Sequence, residues 1–211
     1  MPAMKPIIVD FDGTLADSTA ALVAAWNIIA QKHQLKDISL KDIDGLKKLS
    51  LMERSKLLNL SMYKVPLVLP QFYQLYRQSL QDIRPFKGMK EVLLELAKRG
   101  YKIMIISSHA KDTILTFLKL NDIHCIAEIL YSNPIAGKDK AIEKFIKKST
   151  IPADEMLYIG DEQRDIIACK KVCVPIIWVG WGYDAKEAIQ YLQPDYQAVA
   201  PHDIVKIIDS L

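Results

Sequence analysis

The chain has 211 residues, 50% of them hydrophobic and 25% charged, which is typical of a globular protein that buries one sizeable core. The formal net charge is +3, and no dense lysine and arginine block is interleaved with aromatic residues, so a nucleic-acid partner is not expected. No apolar run is long enough to span a membrane, which argues against a membrane partner. The three cysteines have no metal-binding spacing, and their odd number fits a reducing compartment, so we predict a cytoplasmic protein.

The first predicted element is a short strand that ends in two acids. Ile7 to Val9 is an apolar β-branched run, which is typical of a strand buried on both faces. Asp10 and Asp12 follow it, and Gly13 allows a sharp turn. Two neighbouring carboxylates repel each other unless a cation lies between them. A hard divalent ion such as Mg2+ would serve, with one carboxylate free to act as a nucleophile and the other to move a proton.

Residues 17–84 are predicted to form an all-α cap domain of the four-helix type, inserted after the first strand. Apolar residues recur at helical spacing in three stretches: Leu22, Val23, Trp26 and Ile29; then Leu51, Leu57 and Leu58; then Phe72, Leu75, Tyr76 and Leu80. Asp44-Gly45 predicts a break, and the second of these helices is expected to end near Val65-Pro66. Nothing between Thr19 and Arg84 has the pattern of a strand.

From Pro85 onward, strand and helix patterns alternate. Strands are predicted at 101–106, 127–131, 155–159, 174–179 and 196–199, with helices between them. This alternation predicts an α/β core of residues 1–16 and 85–211, built on a doubly wound parallel sheet. In such sheets, polar residues at the carboxyl ends of the strands converge on one ligand site.

The ends of these strands supply the remaining candidate site residues. Ser107, followed by Ser108 and His109, comes after the second core strand, and Asp161 and Asp165 follow the strand that ends near Ile159. A helix that starts after Gly137 offers Lys138, with Lys140 as a nearby alternative.

Taken together, these motifs resemble the haloacid dehalogenase superfamily. Asp10-Phe-Asp-Gly-Thr-Leu15 is similar to the first motif of the superfamily, Ser107 to the second, Lys138 to the third and Gly160-Asp-Glu-Gln-Arg-Asp165 to the fourth, in the same order. Pro85-Phe-Lys-Gly88 and Trp178-Val-Gly-Trp-Gly-Tyr183 resemble the phosphoglycolate-phosphatase-like branch, which carries a helical cap in the corresponding position. The fold this implies is a Rossmann-like α/β core with a helical cap.

The resemblance implies a phosphatase that acts on a small phosphorylated metabolite through an aspartyl-phosphate intermediate. Asp10 is then the nucleophile, Asp12 the general acid and base, and Lys138 the cation that neutralises charge on the nucleophile and on the phosphate. Phosphate oxygens would be bound by Lys138, Ser107 and backbone N–H groups near Phe11 and Ser108.

The resemblance also implies Mg2+ as the cofactor. Asp10, the backbone carbonyl of Asp12, and Asp161 would bind the ion directly. Asp165 would bind it or its waters, and Glu162 would support the acidic cluster from its edge.

Several alternatives stay open on the same core. A phosphomutase of the β-phosphoglucomutase type, a pyrophosphatase and a nucleotidase would use similar chemistry, and no sequence feature excludes them. A phospho-receiver domain and a nicotinamide-binding domain are disfavoured, since the acids are differently placed and no glycine-rich phosphate loop follows the first strand. Residues 47–50 lack the glycine of the branch's substrate loop, which leaves the substrate undecided. Arg54 and His109 are candidates for substrate contact, and a monomer and a weak homodimer are both compatible with the sequence.

Overall fold

A computed structural model describes residues 5–133 and 137–211 of the chain. The strands are β1 (Pro6–Asp10), β2 (Ala16–Asp17), β3 (Arg84–Pro85), β4 (Lys102–Ser107), β5 (Ile126–Tyr131), β6 (Leu157–Gly160), β7 (Ile176–Val179) and β8 (Tyr196–Ala198). The α-helices are α1 (Thr19–His33), α2 (Ile43–Lys47), α3 (Leu51–Leu57), α4 (Val65–Gln78), α5 (Met89–Lys98), α6 (Lys111–Leu120), α7 (Lys138–Ser149), α8 (Gln163–Val172), α9 (Lys186–Ile189) and α10 (Pro201–Asp209). No helix within the described ranges is both long and apolar enough to cross a membrane.

The core is a parallel sheet with the strand order β5-β4-β1-β6-β7-β8. The predicted doubly wound α/β fold is confirmed, because β1 lies between β4 and β6, and all pairs in this sheet are parallel. In the register, Asp10 lies opposite Ile106, and Val9 lies opposite Ile159. The carboxyl ends of β1, β4 and β6 are therefore neighbours. We call this carboxyl-terminal side of the sheet the sheet edge.

Each face of the sheet carries its own buried apolar cluster. Ile7 and Val9 pack on the face covered by α5, α6 and α10, and Ile8 packs on the opposite face against α7 and α8. Burial of each such side chain stabilises the fold by roughly 1.5–3 kcal/mol. With apolar residues on both faces, the strands have no polar alternation, and the polar groups of the core collect at the strand ends.

Residues 18–83 form a helical insert that contains α1 to α4. Two local predictions about it are wrong. Asp44-Gly45 lies inside the short helix α2 rather than at a break, and α3 ends at Leu57 rather than near Val65-Pro66. Val65 instead begins α4, because a proline in the first helical turn loses no hydrogen bond that the helix would otherwise make. A separate cap domain for residues 17–84 stays a prediction.

A two-stranded antiparallel ribbon joins the two ends of the insert. Ala16 pairs with Pro85 and Asp17 with Arg84, a pairing that the sequence analysis did not anticipate. Strands of two residues are too short to show any periodicity, so only the folded chain reveals them. The ribbon holds both connections to the insert beside the carboxyl end of β1.

Candidate active site

Lys138 lies between two buried carboxylates. Its ammonium donates to Asp10 Oδ2 and to Asp165 Oδ1, at 2.5 Å in each case. The side chain of Lys138 is 6% exposed, whereas that of the alternative, Lys140, is 70% exposed and pairs with Glu143. The geometry therefore places Lys138, and not Lys140, at the strand ends.

The ionisation of Asp10 and Lys138 is strongly perturbed by this environment. Burial raises the pKa of Asp10 to about 7; Lys138 opposes this shift, and the negative charges of Asp165 and Glu162 add to it. Burial alone would lower the pKa of Lys138, but Asp10 and Asp165 raise it above its ordinary value. Lys138 therefore remains a cation whose charge is directed at Asp10.

Asp161 is enclosed by the turn after β1 and by the segment after β7. Thr14 Oγ1 donates to Asp161 Oδ1 at 2.6 Å, and the backbone N–H of Tyr183 donates to Oδ2 at 2.6 Å. A Cβ at Gly13 or at Gly182 would overlap the Asp161 carboxylate, so both positions require the absence of a side chain. Thr14 and the Tyr183 backbone were not identified from the sequence, because their role depends on a contact between distant segments.

Three acids form a group that could hold a metal ion. One carboxylate oxygen from each of Asp10, Glu162 and Asp165 lies within 4.8 Å of the others. Carboxylate oxygens are the ligands that hard divalent cations prefer. Burial, together with the charges of Glu162, Asp10 and Asp165, raises the pKa of Asp161 well above its ordinary value. The donor set therefore fits a hard divalent cation.

This group overlaps only in part with the expected metal ligands. Asp10 and Asp165 belong to it, whereas the Asp161 carboxylate accepts from Thr14 and from the Tyr183 N–H. The expected contribution of the Asp12 backbone carbonyl stays a prediction, because the group consists of side-chain oxygens. Glu162, which was expected only at the edge of the acidic cluster, contributes an oxygen to the group. It also accepts a hydrogen bond from Arg164 Nε at 2.6 Å. Asp165 has further partners in the Tyr158 hydroxyl, at 3.0 Å, and the Glu162 backbone N–H, at 3.0 Å.

Asp12 has a different set of partners from Asp10. Ser18 Oγ and the Tyr76 hydroxyl each donate to Asp12 Oδ1 at 2.7 Å, and His109 Nε2 lies 2.7 Å from Asp12 Oδ2. Burial would raise the pKa of Asp12, but the attraction of His109 and the hydrogen bonds from His109, Ser18 and Tyr76 hold it below its ordinary value. The surroundings therefore raise the pKa of one acid of the first motif, Asp10, and lower the pKa of the other, Asp12.

His109 and Tyr76 acquire a role in the folded chain that their sequence positions do not reveal. His109, a candidate for substrate contact, is buried, and its ring lies 4.2 Å from the Tyr76 ring between centroids. Tyr76 was recognised only as one apolar position of a helical stripe, yet its hydroxyl reaches from α4 to Asp12. The periodicity that predicts the helix contains no signal for this hydrogen bond.

The expected phosphate-binding residues lie beside Asp10. Ser107 is buried at the end of β4, and its Oγ accepts from the His109 backbone N–H at 3.1 Å. Burial raises the pKa of Tyr73 from α4, and an interaction of its hydroxyl with Ser108 opposes that shift. The Phe11 N–H donates to Asp10 Oδ1 at 2.8 Å, so in this structure it orients the Asp10 carboxylate.

Arg54 is directed at the protein rather than at open space. Its guanidinium donates to the Leu46 carbonyl at 2.8 Å and to the Tyr183 carbonyl at 3.1 Å, and it forms an ion pair with the buried Asp184. Asp184 also accepts from the Gln163 backbone N–H at 2.6 Å. Arg54 therefore links the helical insert to the segment after β7.

Comparison with known proteins identifies the class of this site. Residues 7–179 match the family model described as haloacid dehalogenase-like hydrolase. A phosphoglycolate phosphatase from Synechococcus elongatus is 26% identical over 209 residues, which cover 99% of both chains. The pyrophosphatase PpaX of Bacillus mycoides is 19% identical and covers 99% of this chain and 98% of its own.

Solved structures share the same fold. A haloacid dehalogenase-like family hydrolase from Streptococcus pneumoniae superposes with a TM-score of 0.82 at 21% identity, covering 99% of this chain and all of its own. A predicted phosphoglycolate phosphatase from Haemophilus somnus gives a TM-score of 0.76 at 22% identity and covers 99% of both chains. These likenesses extend over the helical insert as well as the sheet.

Proposed function

Because this chain belongs to the haloacid dehalogenase-like hydrolase family, we propose that it is a Mg2+-dependent phosphatase that hydrolyses a small phosphate monoester through an aspartyl-phosphate. The position of Lys138 is the strongest support for this proposal. A buried cation shared by Asp10 and Asp165 favours the ionised form of Asp10 against the effect of burial, and it orients the carboxylate beside the group of acids that could hold the metal ion.

Asp10 is the proposed nucleophile. One of its carboxylate oxygens attacks phosphorus, a P–O bond forms to Asp10, and the bond from phosphorus to the ester oxygen breaks. The Phe11 N–H and Lys138 hold the two carboxylate oxygens and thereby limit the rotation of the side chain before attack.

Asp12 is the proposed general acid and base. In the first step it gives a proton to the leaving ester oxygen, and in the second it takes a proton from the water that attacks the aspartyl-phosphate. This second step releases inorganic phosphate and regenerates the Asp10 carboxylate. The hydrogen bonds in this structure favour ionised Asp12, the form that the second step needs. The negative charge of a bound phosphate favours the protonated form that the first step needs.

Asp10, Glu162 and Asp165 would hold the metal ion, with Asp161 close in the chain and sharing their buried negative charge. When bound, Mg2+ supplies positive charge that orients the phosphate and offsets its negative charge. Ser107 and Ser108 would bind phosphate oxygens from the end of β4, as the family resemblance implies.

The helical insert is the proposed cap over this site. Tyr76 and Tyr73 extend from α4 to Asp12 and Ser108, and Arg54 extends from α3 to Asp184. These contacts cover the strand ends and would exclude bulk water from the reacting phosphate.

A pyrophosphatase is the second candidate function. It is favoured by the similarity to proteins named pyrophosphatase PpaX over nearly the whole chain. In that reaction the leaving group is phosphate itself, which needs less help from a general acid than an alkoxide does.

The test is phosphate release from a panel of phosphate monoesters and pyrophosphate, with Mg2+ and then with EDTA. Mg2+-dependent release from a monoester, lost in Asp10→Asn, is the expected result. Release from pyrophosphate alone would favour the second candidate. Interconversion of glucose 1-phosphate and glucose 6-phosphate without release would establish a mutase, and no reaction with any compound would overturn the phosphatase.

The expected cellular setting stays a prediction. All three cysteines are free thiols in the structure, which supports a reducing, cytoplasmic compartment.

A further inference from the structure

The helical insert contains an apolar cavity of about 290 Å³ beside the candidate active site. Its walls come from all four helices of the insert and from Tyr183 in the segment after β7. Leu22, Trp26 and Phe72 are among the side chains that face it.

Two hydrogen bonds connect this cavity to the proposed general acid. Tyr183, which lines the cavity, has its hydroxyl 2.5 Å from Ser18 Oγ. Ser18 Oγ in turn donates to Asp12 Oδ1 at 2.7 Å. Thr19, the next residue along the chain, also lines the cavity. A chain of two hydrogen bonds therefore runs from the cavity wall to the carboxylate that would protonate the leaving oxygen of a bound ester.

The cavity offers little for a small charged group to bind. Among the described residues that line it, only Lys47 and Arg54 carry charge. The charge of Arg54 is already paired with Asp184, and its donors reach the carbonyls of Leu46, Lys47 and Tyr183. Lys47 is half-buried and has no ion pair within the described ranges, so it could contact one acidic substituent.

We infer that this cavity receives the organic part of the substrate and selects a phosphate ester of an apolar, ring-sized alcohol; the inference rests on the proposed phosphatase function. An apolar cavity of about 150 Å³ is large enough for benzene, so this one has room for a ring with a short substituent. The two-carbon glycolate group would leave most of the apolar walls facing water, and burying its carboxylate there carries a desolvation cost. The ester favoured by the cavity therefore differs in chemistry from phosphoglycolate.

Binding to the Asp10→Asn variant tests this inference without turnover. Isothermal titration calorimetry in the presence of Mg2+ would compare phenyl phosphate, phosphoglycolate and inorganic phosphate. We expect phenyl phosphate to bind at least tenfold more tightly than phosphoglycolate. Equal or tighter binding of phosphoglycolate would overturn the inference.

A second variant tests whether the cavity causes the preference for phenyl phosphate. Val23 lines the cavity from α1, and a Val23→Phe substitution in the same background would fill part of it. Phenyl phosphate should then bind at least tenfold more weakly, while inorganic phosphate, which needs no cavity, reports whether the site is intact. Ile28→Phe is the matched control, because Ile28 is on the same helix, 53% exposed and outside the cavity wall.

The outcomes separate the inference from the function on which it rests. Equal effects of Val23→Phe and Ile28→Phe on phenyl phosphate would overturn the cavity assignment alone, as would phosphate binding without any preference for the aryl ester. A failure of all three ligands to bind, with no Mg2+-dependent turnover by the unmodified enzyme, would overturn the inference and the proposed function together.

Discussion

The sheet edge and the helical insert place their functional groups under opposite physical constraints. At the sheet edge, buried charges face one another, and within the described residues no buried side-chain nitrogen or oxygen lacks a hydrogen-bond partner. The insert instead presents apolar surface, both inside its cavity and on its outside, where Met52 is 67% and Leu67 is 58% exposed. A buried charge tolerates very few arrangements of partners, whereas an apolar wall tolerates many. We infer that the sheet edge determines the reaction and the insert determines the substrate.

The largest expected effect comes from removing the cation of the sheet edge. Lys138→Met should lower kcat by roughly a hundredfold to a thousandfold, because a preorganised positive charge at the reacting phosphate is lost. It should also lower the free energy of unfolding by about 3–5 kcal/mol, since two buried carboxylates lose their shared partner. Steady-state kinetics and urea denaturation would measure the two effects.

Lys140→Met is the matched control for Lys138→Met. Lys140 is on the same helix, two residues further along, but its side chain is exposed. If both variants lose activity equally, the reaction does not require the buried cation. The claim that the sheet edge determines the reaction is then wrong.

A smaller effect should come from Tyr76, where the insert contacts Asp12, the proposed general acid and base. Tyr76→Phe removes one hydrogen bond to Asp12 and should lower kcat on an alkyl phosphate by roughly tenfold to a hundredfold. The loss should be nearly the same on para-nitrophenyl phosphate, because the bond favours the ionised Asp12 that hydrolysis of the aspartyl-phosphate needs, and that step is common to both esters. A burst of para-nitrophenolate before a slow steady state would show that the second step is the one impaired, whereas a purely structural role would lower the burst and the steady-state rate together.

His109, which contacts Asp12 from the α/β core, allows the same test of the hydrogen bonds to Asp12. His109→Leu should give the same burst followed by slow turnover as Tyr76→Phe, and His109→Gln, which keeps a donor, should recover part of the loss. Tyr63→Phe is the control, because it removes an exposed hydroxyl from the same insert. Equal rates for His109→Leu and His109→Gln would show that the hydrogen bond to Asp12 is unimportant.

The last expected effect is a pH dependence of stability at the sheet edge. The pKa of Asp10 is about 7 in the folded chain and 3.8 in the reference state, so between these values the folded state holds a proton that the unfolded state has lost. Without metal, stability contributed by Asp10 is therefore present at acidic pH and lost as the pH rises from about 4 through 7. The lowered pKa of Asp12 acts below this window.

Thermal unfolding in EDTA, compared between the wild type and Asp10→Asn, isolates this contribution. The advantage of the wild type over the variant should shrink by about 5–10 °C between pH of about 5 and about 8. Added Mg2+ should stabilise the wild type more at the higher pH, because it needs ionised carboxylates. A difference between the two proteins that does not change with pH would contradict the raised pKa.

The sequence predicted the sheet edge far better than the insert. Asp10 and Asp161 were expected together because strand ends converge in a parallel sheet, and Lys138 because its motif follows in the order of the superfamily. The structure brings these side chains into one region, while their catalytic roles stay predictions. Tyr76 and Thr14 were missed, since nothing in their local sequence indicates which carboxylate they reach. The same limit explains the wrong break at Asp44-Gly45: a short helix packed against its neighbours overrides the turn preference of that pair.

The identity of the residue that carries the phosphoryl group is the most direct test of the central claim. In Asp12→Asn, the base for the second step is missing, so the phosphoryl group of para-nitrophenyl phosphate should accumulate on the protein and give a stoichiometric burst of para-nitrophenolate. Borohydride reduces an acyl phosphate to an alcohol, and peptide mass spectrometry should then find homoserine in place of Asp10. Homoserine at any other acid, a burst without reduction at Asp10, or the absence of a burst would contradict the account.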